Sequence, residues 1–368
     1  MSMNANPLRA LKALGQHVWL DNLSRALLQE GSLQRMMTED GVDGVTSNPA
    51  IFQKAIAGST YYQDELVRLR NSPLDAEARY ESLVIPDIQA ACDMLLPAYV
   101  ATQGDAGYVS LEVSPALAHD TAGTVLAAQR LRHSVGRENL FIKVPGTPAG
   151  VQAFEQLTAA GERINVTLIF SLTQYAAVAQ AYLRGAQRWL DDGGNAAQLR
   201  SVASVFLSRV DTQVDQRLDA MNTPPARMLR GKAGVALAKC CHARYLEIFH
   251  GLAFATLAQA GVRAQTPLWA STGNKDPAYS DLRYVEPLIG PETINTVPDA
   301  TLAAIRDHGH AAATLTTGKR EAHDHIEALQ VLGIDLGEVG ETLQTDGVRL
   351  FSEAYEQILM SCRSYHVI

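Results

Sequence analysis

The feature that most constrains the fold of this chain is an alternation of short β-like runs with amphipathic helical segments from one end to the other. Runs rich in Val, Ile, Leu and Phe predict strands, and apolar residues at helical spacing fill the intervals between them. This order is typical of β–α–β units and of a parallel sheet. The predicted strands are residues 18–21, 42–48, 108–113, 140–144, 164–170, 202–206, 267–271 and 293–297.

Eight such strands are the number found in a closed (β/α)8, or TIM, barrel. A doubly wound dinucleotide-binding sheet is the alternative, but it needs a GxGxxG motif after its first strand, which this sequence lacks. The length of 368 residues is compatible with one barrel, because such barrels often reach ~250 residues or more as one unit. Extra helical patterns occur near residues 25–30, 75–91 and 342–360. We therefore expect a single α/β barrel domain over residues 1–368, with additional N-terminal and C-terminal helices.

The charge balance argues against a protein that binds nucleic acid or a membrane surface. Lys and Arg number 31 against 39 Asp and Glu, which gives a formal charge of −8, and no basic run of useful length occurs. The four cysteines form no CxxC pair, and the N-terminus lacks the apolar region of an export signal. The apolar-looking segment 233–262 is interrupted by charges and has helical spacing. We expect a cytoplasmic protein with no membrane or nucleic-acid partner.

Alternation inside the predicted strands separates an apolar face from a polar one. Val109, Leu111 and Val113 share one face, while Ser110 and Glu112 share the other. We expect the apolar faces, including residues 164, 166, 168 and 170 of the fifth strand, to pack against the outer helices. The polar residues expected inside the barrel are Asp21, Thr46, Asn48, Glu112, Lys143, Asn165, Thr167, Ser204 and Ser271. Most of them lie toward the C-terminal ends of their strands, where barrel enzymes place their chemistry.

Lys143 lies in the middle of the apolar strand LFIKVP, where an ammonium group is expensive to desolvate. A buried lysine loses its proton more readily, and its neutral amine can attack a carbonyl group to form a Schiff base. Two alternatives remain open on the residues alone. The lysine could pair with a carboxylate for stability, or bind a phosphate as a point charge.

Asp21 and Glu112 are candidate acid/base groups for carbon–carbon bond cleavage beside an imine, which needs a base for the departing hydroxyl proton. Asp21 could instead cap a helix, although Ser24 is the better cap, and Glu112 could serve only as the partner of Lys143. The amide of Asn48, held extended by Pro49, and the pair Asn165 and Thr167 suit hydrogen bonds to a polyhydroxy ligand. A turn and β-propensity explain these residues equally well.

Donors for a phosphate group follow the sixth and seventh strands. Arg209, Ser271 and Lys275 could converge on the barrel mouth, although Arg209 could instead pair with Asp211 or Asp215. The histidine pairs 308/310 and 323/325 resemble metal ligands, but their polar surroundings favour solvated surface positions. The sequence has no HExxH and no GxSxG motif, which excludes the commonest zinc and serine hydrolases. We expect no metal and no cofactor.

Two long segments resemble the signature regions of transaldolases. Residues 43–52 read DGVTSNPAIF and residues 140–157 read LFIKVPGTPAGVQAFEQL. Further resemblances are WLDN at 19–22, SLEV at 110–113, NVTLIFS at 165–171, SVFLSR at 204–209 and WAS at 269–271. Together they span most of the predicted barrel, and the chain is similar to the longer bacterial branch of the family.

The resemblance implies a Schiff-base transferase of the pentose phosphate pathway that uses phosphosugars. It would move a dihydroxyacetone unit from sedoheptulose 7-phosphate to glyceraldehyde 3-phosphate, giving erythrose 4-phosphate and fructose 6-phosphate. By resemblance, Lys143 forms the imine and Asp21 acts on the hydroxyl of the cleaved bond. The other implied roles are water binding by Glu112 and Thr167, hydroxyl binding by Asn48 and Asn165, and contacts to sugar and phosphate by Ser204, Arg209 and Ser271.

One departure from the family concerns the phosphate site. Many members carry a second Arg just after the serine that Ser271 matches, whereas this chain continues with TGNK and offers Lys275 instead. The nearest alternative function is a fructose 6-phosphate aldolase, which releases free dihydroxyacetone. Those enzymes tend to have Tyr at the position of Phe206 and lack the Glu matched by Glu112, so both residues favour transfer. The other alternative is a phosphosugar-binding barrel without catalysis.

Overall fold

The computed structural model describes residues 6–363, and its centre is a closed barrel of eight parallel strands in sequence order. The predicted (β/α)8 architecture and all eight predicted strands are confirmed, with ends that differ by a few residues. The strands are β1 (Gln16–Leu20), β2 (Gly44–Thr46), β3 (Tyr108–Glu112), β4 (Leu140–Pro145), β5 (Ile164–Ile169), β6 (Ser201–Phe206), β7 (Thr266–Ala270) and β8 (Thr293–Val297). The second strand is shorter than predicted because Asn48 already begins a helix.

Helices connect the strands and cover the barrel. In the described part of the chain they are α1 (Pro7–Ala13), α2 (Arg25–Gln29), α3 (Ser32–Arg35), α4 (Pro49–Ile56), α5 (Thr60–Arg70), α6 (Ala76–Ala101), α7 (Thr121–Val135), α8 (Pro148–Ala159), α9 (Leu172–Asp191), α10 (Ser208–Met221), α11 (Pro224–Leu229), α12 (Ala233–Phe249), α13 (Leu252–Gln259), α14 (Asp299–His308), α15 (Lys319–Val331) and α16 (Leu336–Cys362). The three extra helical patterns correspond to α2, α6 and α16, of which the last two are longer than predicted.

Helix α6 is long and apolar enough to cross a membrane when judged by length and composition alone. Core helices of soluble proteins pass the same test. In this structure α6 packs against α2, α5, α7 and β3, and its Asp87 accepts hydrogen bonds from Arg25 Nε at 2.9 Å and from the Tyr62 hydroxyl at 2.8 Å. These contacts give α6 the surroundings of a helix packed on the barrel.

The floor of the barrel is a layer of aromatic side chains. Trp19 of β1 lies 6.1 Å from Phe141 of β4, and Phe141 lies 4.3 Å from Tyr108 of β3, measured between ring centroids. Strands β1 and β4 are not neighbours, so these rings meet across the barrel interior. Gly44 makes room for them, because a Cβ atom there would lie 2.4 Å from the indole of Trp19. Because side chains alternate along a strand, the inward residue two positions after each of these aromatic residues lies one layer nearer the C-terminal end of the barrel.

A bulge interrupts the alternation of β5. Leu168 has a φ of +59°, and the register with β6 shifts between Val166 and Ile169. The prediction that Phe170 belongs to the same outer face as residues 164 and 166 is therefore wrong. Its ring lies 5.1 Å from that of Phe206 instead, on the side of the barrel mouth.

Helix α16 docks where this bulge leaves backbone groups unpaired. Gln344 Nε2 donates to the carbonyl oxygens of Gly146 at 2.8 Å and Leu168 at 3.0 Å. One turn later Gly347 allows close approach, because a Cβ atom there would lie 2.9 Å from Leu168 Cδ2. The C-terminal helix is thus fixed over the C-terminal ends of β4 and β5.

At the opposite end of the barrel His17 joins two carboxylates. Its Nδ1 lies 2.7 Å from Asp43 Oδ2, and its Nε2 lies 3.3 Å from Asp105 Oδ2. Burial alone would lower the pKa of His17, but the hydrogen bonds to Asp105 and Asp43 outweigh it and raise the pKa from 6.5 to about 9. The imidazolium ion therefore contributes to folding stability at neutral pH.

We predict that this contribution depends on pH in a defined direction. Because the folded pKa of His17 is raised to about 9, its stabilisation is fully present below pH 6.5 and is lost as the pH rises through 9. The substitution His17→Gln should lower the free energy of unfolding by roughly 1–3 kcal/mol at pH 6 and by much less at pH 9.5. Urea unfolding of both proteins at the two pH values measures this, and a pH-independent difference would contradict it.

Candidate active site

A cavity opens at the C-terminal ends of the strands, on the face where barrel enzymes place their chemistry. Its lining comes from β2, β4, β5, β6, β7 and β8, from the loop after β1 and other loops at this end of the barrel, and from α4, α10 and α16. The lining residues are Asp21, Thr46, Asn48, Ala50, Lys143, Thr167, Ser204, Phe206, Arg209, Ala270, Ser271, Thr296 and Phe351. Nine of the twelve predicted site residues are therefore brought together here, while Glu112, Asn165 and Lys275 lie beside or beneath the lining.

Lys143 stands on the inner face of β4 and is only 4% exposed. Its Nζ donates to the carbonyl oxygen of Ser47 at 3.1 Å and lies 3.5 Å from Glu112 Oε2. The parallel register pairs Glu112 of β3 with Lys143 of β4, so neighbouring inward positions carry opposite charges. The amine is thereby held at the base of the cavity with one carboxylate within reach.

Glu112 and Thr167 flank this amine on the two adjacent strands. Burial raises the pKa of Glu112 above its ordinary value, while the charge of Lys143 opposes that rise. The hydroxyl of Thr167 is buried and has no hydrogen-bond partner among the described residues. A carboxyl group and a free hydroxyl therefore lie near the amine, in an arrangement that can hold a water molecule and transfer its protons.

Asp21 follows β1 and is fixed by a chain of hydroxyl groups. Thr46 Oγ1 donates to Asp21 Oδ1 at 2.7 Å and lies 2.7 Å from Thr296 Oγ1. Since the Thr46 proton is used on Asp21, Thr296 is the donor in the second bond. Burial raises the pKa of Asp21, and the charge of Lys143 and the Thr46 bond oppose the rise. The expected alternative, a helix cap, is excluded because Ser24 caps α2.

The two asparagines differ in how they meet the cavity. Asn48 caps α4 by accepting from the Ile51 N–H at 3.0 Å, which leaves its amide nitrogen for a ligand. Asn165 accepts from the Ser204 hydroxyl at 2.7 Å and donates to Ser110 Oγ at 3.1 Å. It is fully buried beneath the lining. Asn48 is thus placed for direct contact, whereas Asn165 orients Ser204.

Arg209 presents a cation at the rim of the cavity. It forms no ion pair within residues 6–363, and its Nη1 is buried without a hydrogen-bond partner there. The expected alternative pairs are wrong, because Asp211 accepts from Gly234 N and Asp215 accepts from Gly231 N. Burial lowers the pKa of Arg209, and Asp21 and Asp346 oppose this. A guanidinium group without a partner is suited to binding an anion.

Ser271 reaches the cavity by a backbone turn rather than by strand alternation. Its φ is +54°, and its hydroxyl lies 2.8 Å from Ser208 Oγ at the start of α10. The register pairs Leu268 and Ala270 with the inward residues of β6, so Trp269 faces outward. The left-handed turn redirects the residue that strand alternation alone would have placed outside.

Lys275 lies in the loop after β7, in a groove adjoining the barrel mouth. Burial lowers its pKa, and repulsion from Arg209 and Lys54 lowers it further. Three cationic side chains from different elements thus lie close enough to affect one another. The groove also carries Asp211, Asp215, Asp219 and Asp276, so Lys275 stands among acidic side chains.

Comparison with known proteins agrees with this geometry. The family model described as "Transaldolase/Fructose-6-phosphate aldolase" matches residues 18–362. The chain belongs to the transaldolase family. The transaldolase of Thiobacillus denitrificans is 53% identical over 354 residues, which cover 96% of this chain and 99% of that protein. The transaldolase of Neisseria gonorrhoeae is 47% identical, with 95% and 97% covered, and "Transaldolase 2" of Nostoc sp. is 41% identical, with 98% and 97% covered.

Sequence reasoning missed four lining residues of this transaldolase-family site: the small residues Ala50 and Ala270, and the larger residues Thr296 and Phe351. Thr296 lies two residues after Ile294, on the same inner face of β8, so the period-two alternation of the strand could have identified it. Phe351 comes from α16, and its ring lies 5.9 Å from the guanidinium carbon of Arg209. Nothing in an amphipathic helix distinguishes such a residue from an ordinary core residue.

The histidine pairs lie outside the cavity of this family's site. His308 pairs with Asp281 on the surface, and the ligand atoms of His323, Asp324 and Glu327 lie within 4.8 Å of one another, all exposed. Exposed acidic groups of this kind are common without a metal ion. The expectation of a solvated position is wrong for His325, which is 9% exposed.

We predict that Asp21 lowers stability at neutral pH. Its folded pKa is raised by burial, so the ionised carboxylate is disfavoured and stability falls as the pH rises from its ordinary pKa toward the raised value. The substitution Asp21→Asn should raise the free energy of unfolding by about 1 kcal/mol at pH 7 and by less at pH 4. Denaturant titrations measure the difference, with the exposed Asp324→Asn as control. An unchanged or lower stability at pH 7 would contradict the burial argument.

Proposed function

We propose that this protein is a transaldolase that transfers a dihydroxyacetone unit from sedoheptulose 7-phosphate to glyceraldehyde 3-phosphate, yielding erythrose 4-phosphate and fructose 6-phosphate. The observation that carries the proposal is the buried amine of Lys143, 3.5 Å from Glu112, at the base of a cavity that Asp21 also lines. A site that only binds sugar phosphates needs no such set of buried ionisable groups. The relatives named transaldolase support the same activity.

The first step joins the amine to the donor ketose. Lys143 Nζ passes one proton to Glu112 and attacks the ketone carbon. A C–N bond forms while the carbonyl π bond breaks, and a second proton moves from the nitrogen to the carbonyl oxygen. Glu112 is placed to accept a proton from the nitrogen and to return it to the departing hydroxyl, which leaves as water. The Thr167 hydroxyl can hold that water, because it has no other hydrogen-bond partner among the described residues. The product is an imine on Lys143.

The second step breaks the carbon–carbon bond next to the imine. Asp21 accepts the proton of the hydroxyl on the fourth carbon, the bond between the third and fourth carbons breaks, and its electrons move to the imine nitrogen. The aldehyde product leaves and an enamine of three carbons remains on Lys143. When the acceptor aldehyde enters, the enamine carbon attacks it and Asp21 returns its proton to the new hydroxyl. Water then releases the ketose.

The surroundings of Asp21 suit this alternation between acid and base. Burial raises its pKa, which brings it closer to neutral pH, where a group that both accepts and returns a proton is most effective. The chain of hydroxyls through Thr46 and Thr296 keeps one carboxylate oxygen occupied. The other oxygen is left for the substrate.

The remaining cavity residues fit the two ends of a phosphosugar. The Asn48 amide nitrogen and the Ser204 oxygen, which Asn165 orients, can bind the hydroxyls of the dihydroxyacetone unit. Arg209, Ser271 and Lys275 are proposed to bind the phosphate at the rim. We propose that Lys275 takes the place of the second Arg that many relatives carry after the serine.

Two further points complete the proposal. We propose that residues 1–368 form one barrel domain, supported by a single cluster of buried apolar residues that runs from Leu8 to Cys362. We also propose a cytoplasmic location with no membrane or nucleic-acid partner. The net charge of −8 and the packing of α6 on the barrel support this.

We predict that borohydride reduction in the presence of fructose 6-phosphate modifies Lys143. The wild-type protein should carry a three-carbon adduct after cleavage, because the imine-bound fragment stays on the enzyme. The Asp21→Asn variant should trap the uncleaved six-carbon sugar on the same lysine and lose turnover by about a thousandfold or more. Peptide mass mapping identifies the residue and the adduct. An unmodified Lys143 in folded protein would overturn the mechanism.

We predict that the enzyme releases little free dihydroxyacetone when no acceptor aldehyde is present. The family description names both activities, and by resemblance Glu112 and Phe206 favour transfer, because the aldolases tend to have Tyr at the position of Phe206 and lack the Glu matched by Glu112. Free dihydroxyacetone is measured with fructose 6-phosphate alone, and erythrose 4-phosphate consumption is measured in the transfer assay. Release without acceptor at the rate of transfer would show a lyase and not a transferase.

A further inference from the structure

A second cavity lies outside the barrel, between α12, α15 and the loop that follows β7. Its volume is about 490 Å³, within the ~300–1,000 Å³ range of small-molecule sites. In the described part of the chain it shares no lining residue with the barrel-mouth cavity. A molecule bound there would leave the surroundings of Lys143 unoccupied.

The walls of this outer cavity are mainly apolar. Val235 and Ala236 of α12 face the loop residues Leu282 and Pro287, and Ala322 of α15 completes the apolar lining. Burial of an apolar ring or short chain against such walls removes apolar surface from water and so stabilises a complex. The cavity therefore favours a ligand with an apolar body.

The charged side chains around this lining are unequal in number. Three cations, Lys232, Lys239 and Arg283, stand against two carboxylates, Glu286 and Glu321. Arg283 Nε already lies 3.6 Å from Asp211 Oδ2, and Lys239 Nζ donates to the carbonyl oxygens of Thr314 and Thr317. Glu286 accepts the backbone N–H of residue 310 at 2.9 Å. Lys232 donates to the carbonyl oxygen of Met228 at 2.9 Å but pairs with no carboxylate among the described residues, so it is the cation left for a ligand. One such cation favours a ligand with a single negative charge.

His325 supplies a polar group inside the outer cavity. The residue lines the cavity and is 9% exposed, and its Nε2 has no hydrogen-bond partner within residues 6–363. Burial lowers its pKa, and the charge of Lys232 lowers it further while Asp215 opposes the shift. The imidazole is therefore neutral at physiological pH. A buried nitrogen without a partner is costly unless a bound molecule satisfies it.

We propose that the outer cavity is a binding site for a small amphipathic anion, distinct from the sugar-phosphate site. The apolar body lies between Val235 and Ala322, the acidic group faces Lys232, and a polar atom bonds His325 Nε2. The ligand is a small carboxylate, sulfonate or phosphate with an aromatic or aliphatic body. The proposal stands independently of the proposed reaction, because it uses none of the residues placed in that mechanism.

Two fluorescent probes that differ mainly in charge test this site. Anilinonaphthalene sulfonate has an aromatic body and one sulfonate, and N-phenylnaphthylamine has the same body without the charge. Both are titrated against the full-length wild-type protein, with and without saturating fructose 6-phosphate. The same titrations use Ala236→Phe and Ala322→Phe, which fill the cavity from opposite helices. Thermal unfolding and near-ultraviolet circular dichroism confirm that each variant is folded.

Charge is tested with a matched pair of variants. Lys232 lines the cavity, whereas Arg320 of the adjoining helix α15 is 92% exposed and lies outside it. Lys232→Gln should weaken binding of the sulfonate probe about threefold and leave the neutral probe nearly unchanged. Arg320→Gln should change neither. Transaldolase activity measured without probe should be unaltered in both variants.

The proposal expects one saturable sulfonate-probe site that fructose 6-phosphate does not displace. A folded cavity-filling variant should weaken that site by about tenfold or more. If neither phenylalanine variant folds, the affinities of Lys232→Gln and Arg320→Gln for the sulfonate probe are compared, and they decide whether the site exists. Three results would overturn the proposal: displacement by fructose 6-phosphate, full affinity in a folded filled variant, or equal effects of the two charge variants. If the wild-type protein showed no transaldolase activity, that result would contradict only the proposed reaction and not the proposed binding site.

Discussion

The site depends on one electrostatic constraint, the pairing of Glu112 with Lys143 inside the barrel. The two residues occupy register positions on adjacent parallel strands, and their charged atoms lie 3.5 Å apart. A buried ammonium or carboxylate without its partner costs several kcal/mol, so each of the two residues stabilises the other there. The register that joins β3 to β4 therefore has to form correctly. The aromatic floor beneath it, in which Phe141 packs on Tyr108, holds these same two strands at the layer below.

The upper side of the site depends on a helix far along the chain. Leu168 adopts a left-handed conformation that leaves its carbonyl to Gln344, and Gly347 lets α16 approach the bulge closely. Phe351 follows one turn later and lies beside Arg209. The guanidinium group is thus partly shielded from water by a helix that the minimal barrel does not need. Shielding strengthens its attraction for an anion because the local dielectric constant is low.

Period-two alternation predicted much of the site, because parallel strands with one face inward follow a simple rule. It placed Glu112, Lys143 and Thr167 correctly from the sequence. The rule failed where the backbone departs from a regular strand, as for Phe170 after the bulge. It predicted that Ser271 lies inside the barrel, and this is correct only because a backbone turn at φ +54° redirects that residue. Phe351 and His325 were beyond this reasoning. Their positions depend on how distant helices pack, and no local pattern encodes that.

An acidic chain can present cations at the cavity rim because the carboxylates nearest to Arg209 in the sequence bind other groups. Asp211 and Asp215 follow Arg209 on α10, yet both face away from it and bind the loop after β7, through the hydroxyls of Tyr284 and Tyr279, each at 2.8 Å. That loop carries Lys275. The same two carboxylates therefore form no ion pair with Arg209, and they hold the loop that carries the second cation. An anionic substrate in the cavity therefore meets the Arg209 guanidinium at close range despite the net charge of −8, because the potential in a cleft depends mainly on the nearest charges and falls off within about 8–10 Å at physiological salt.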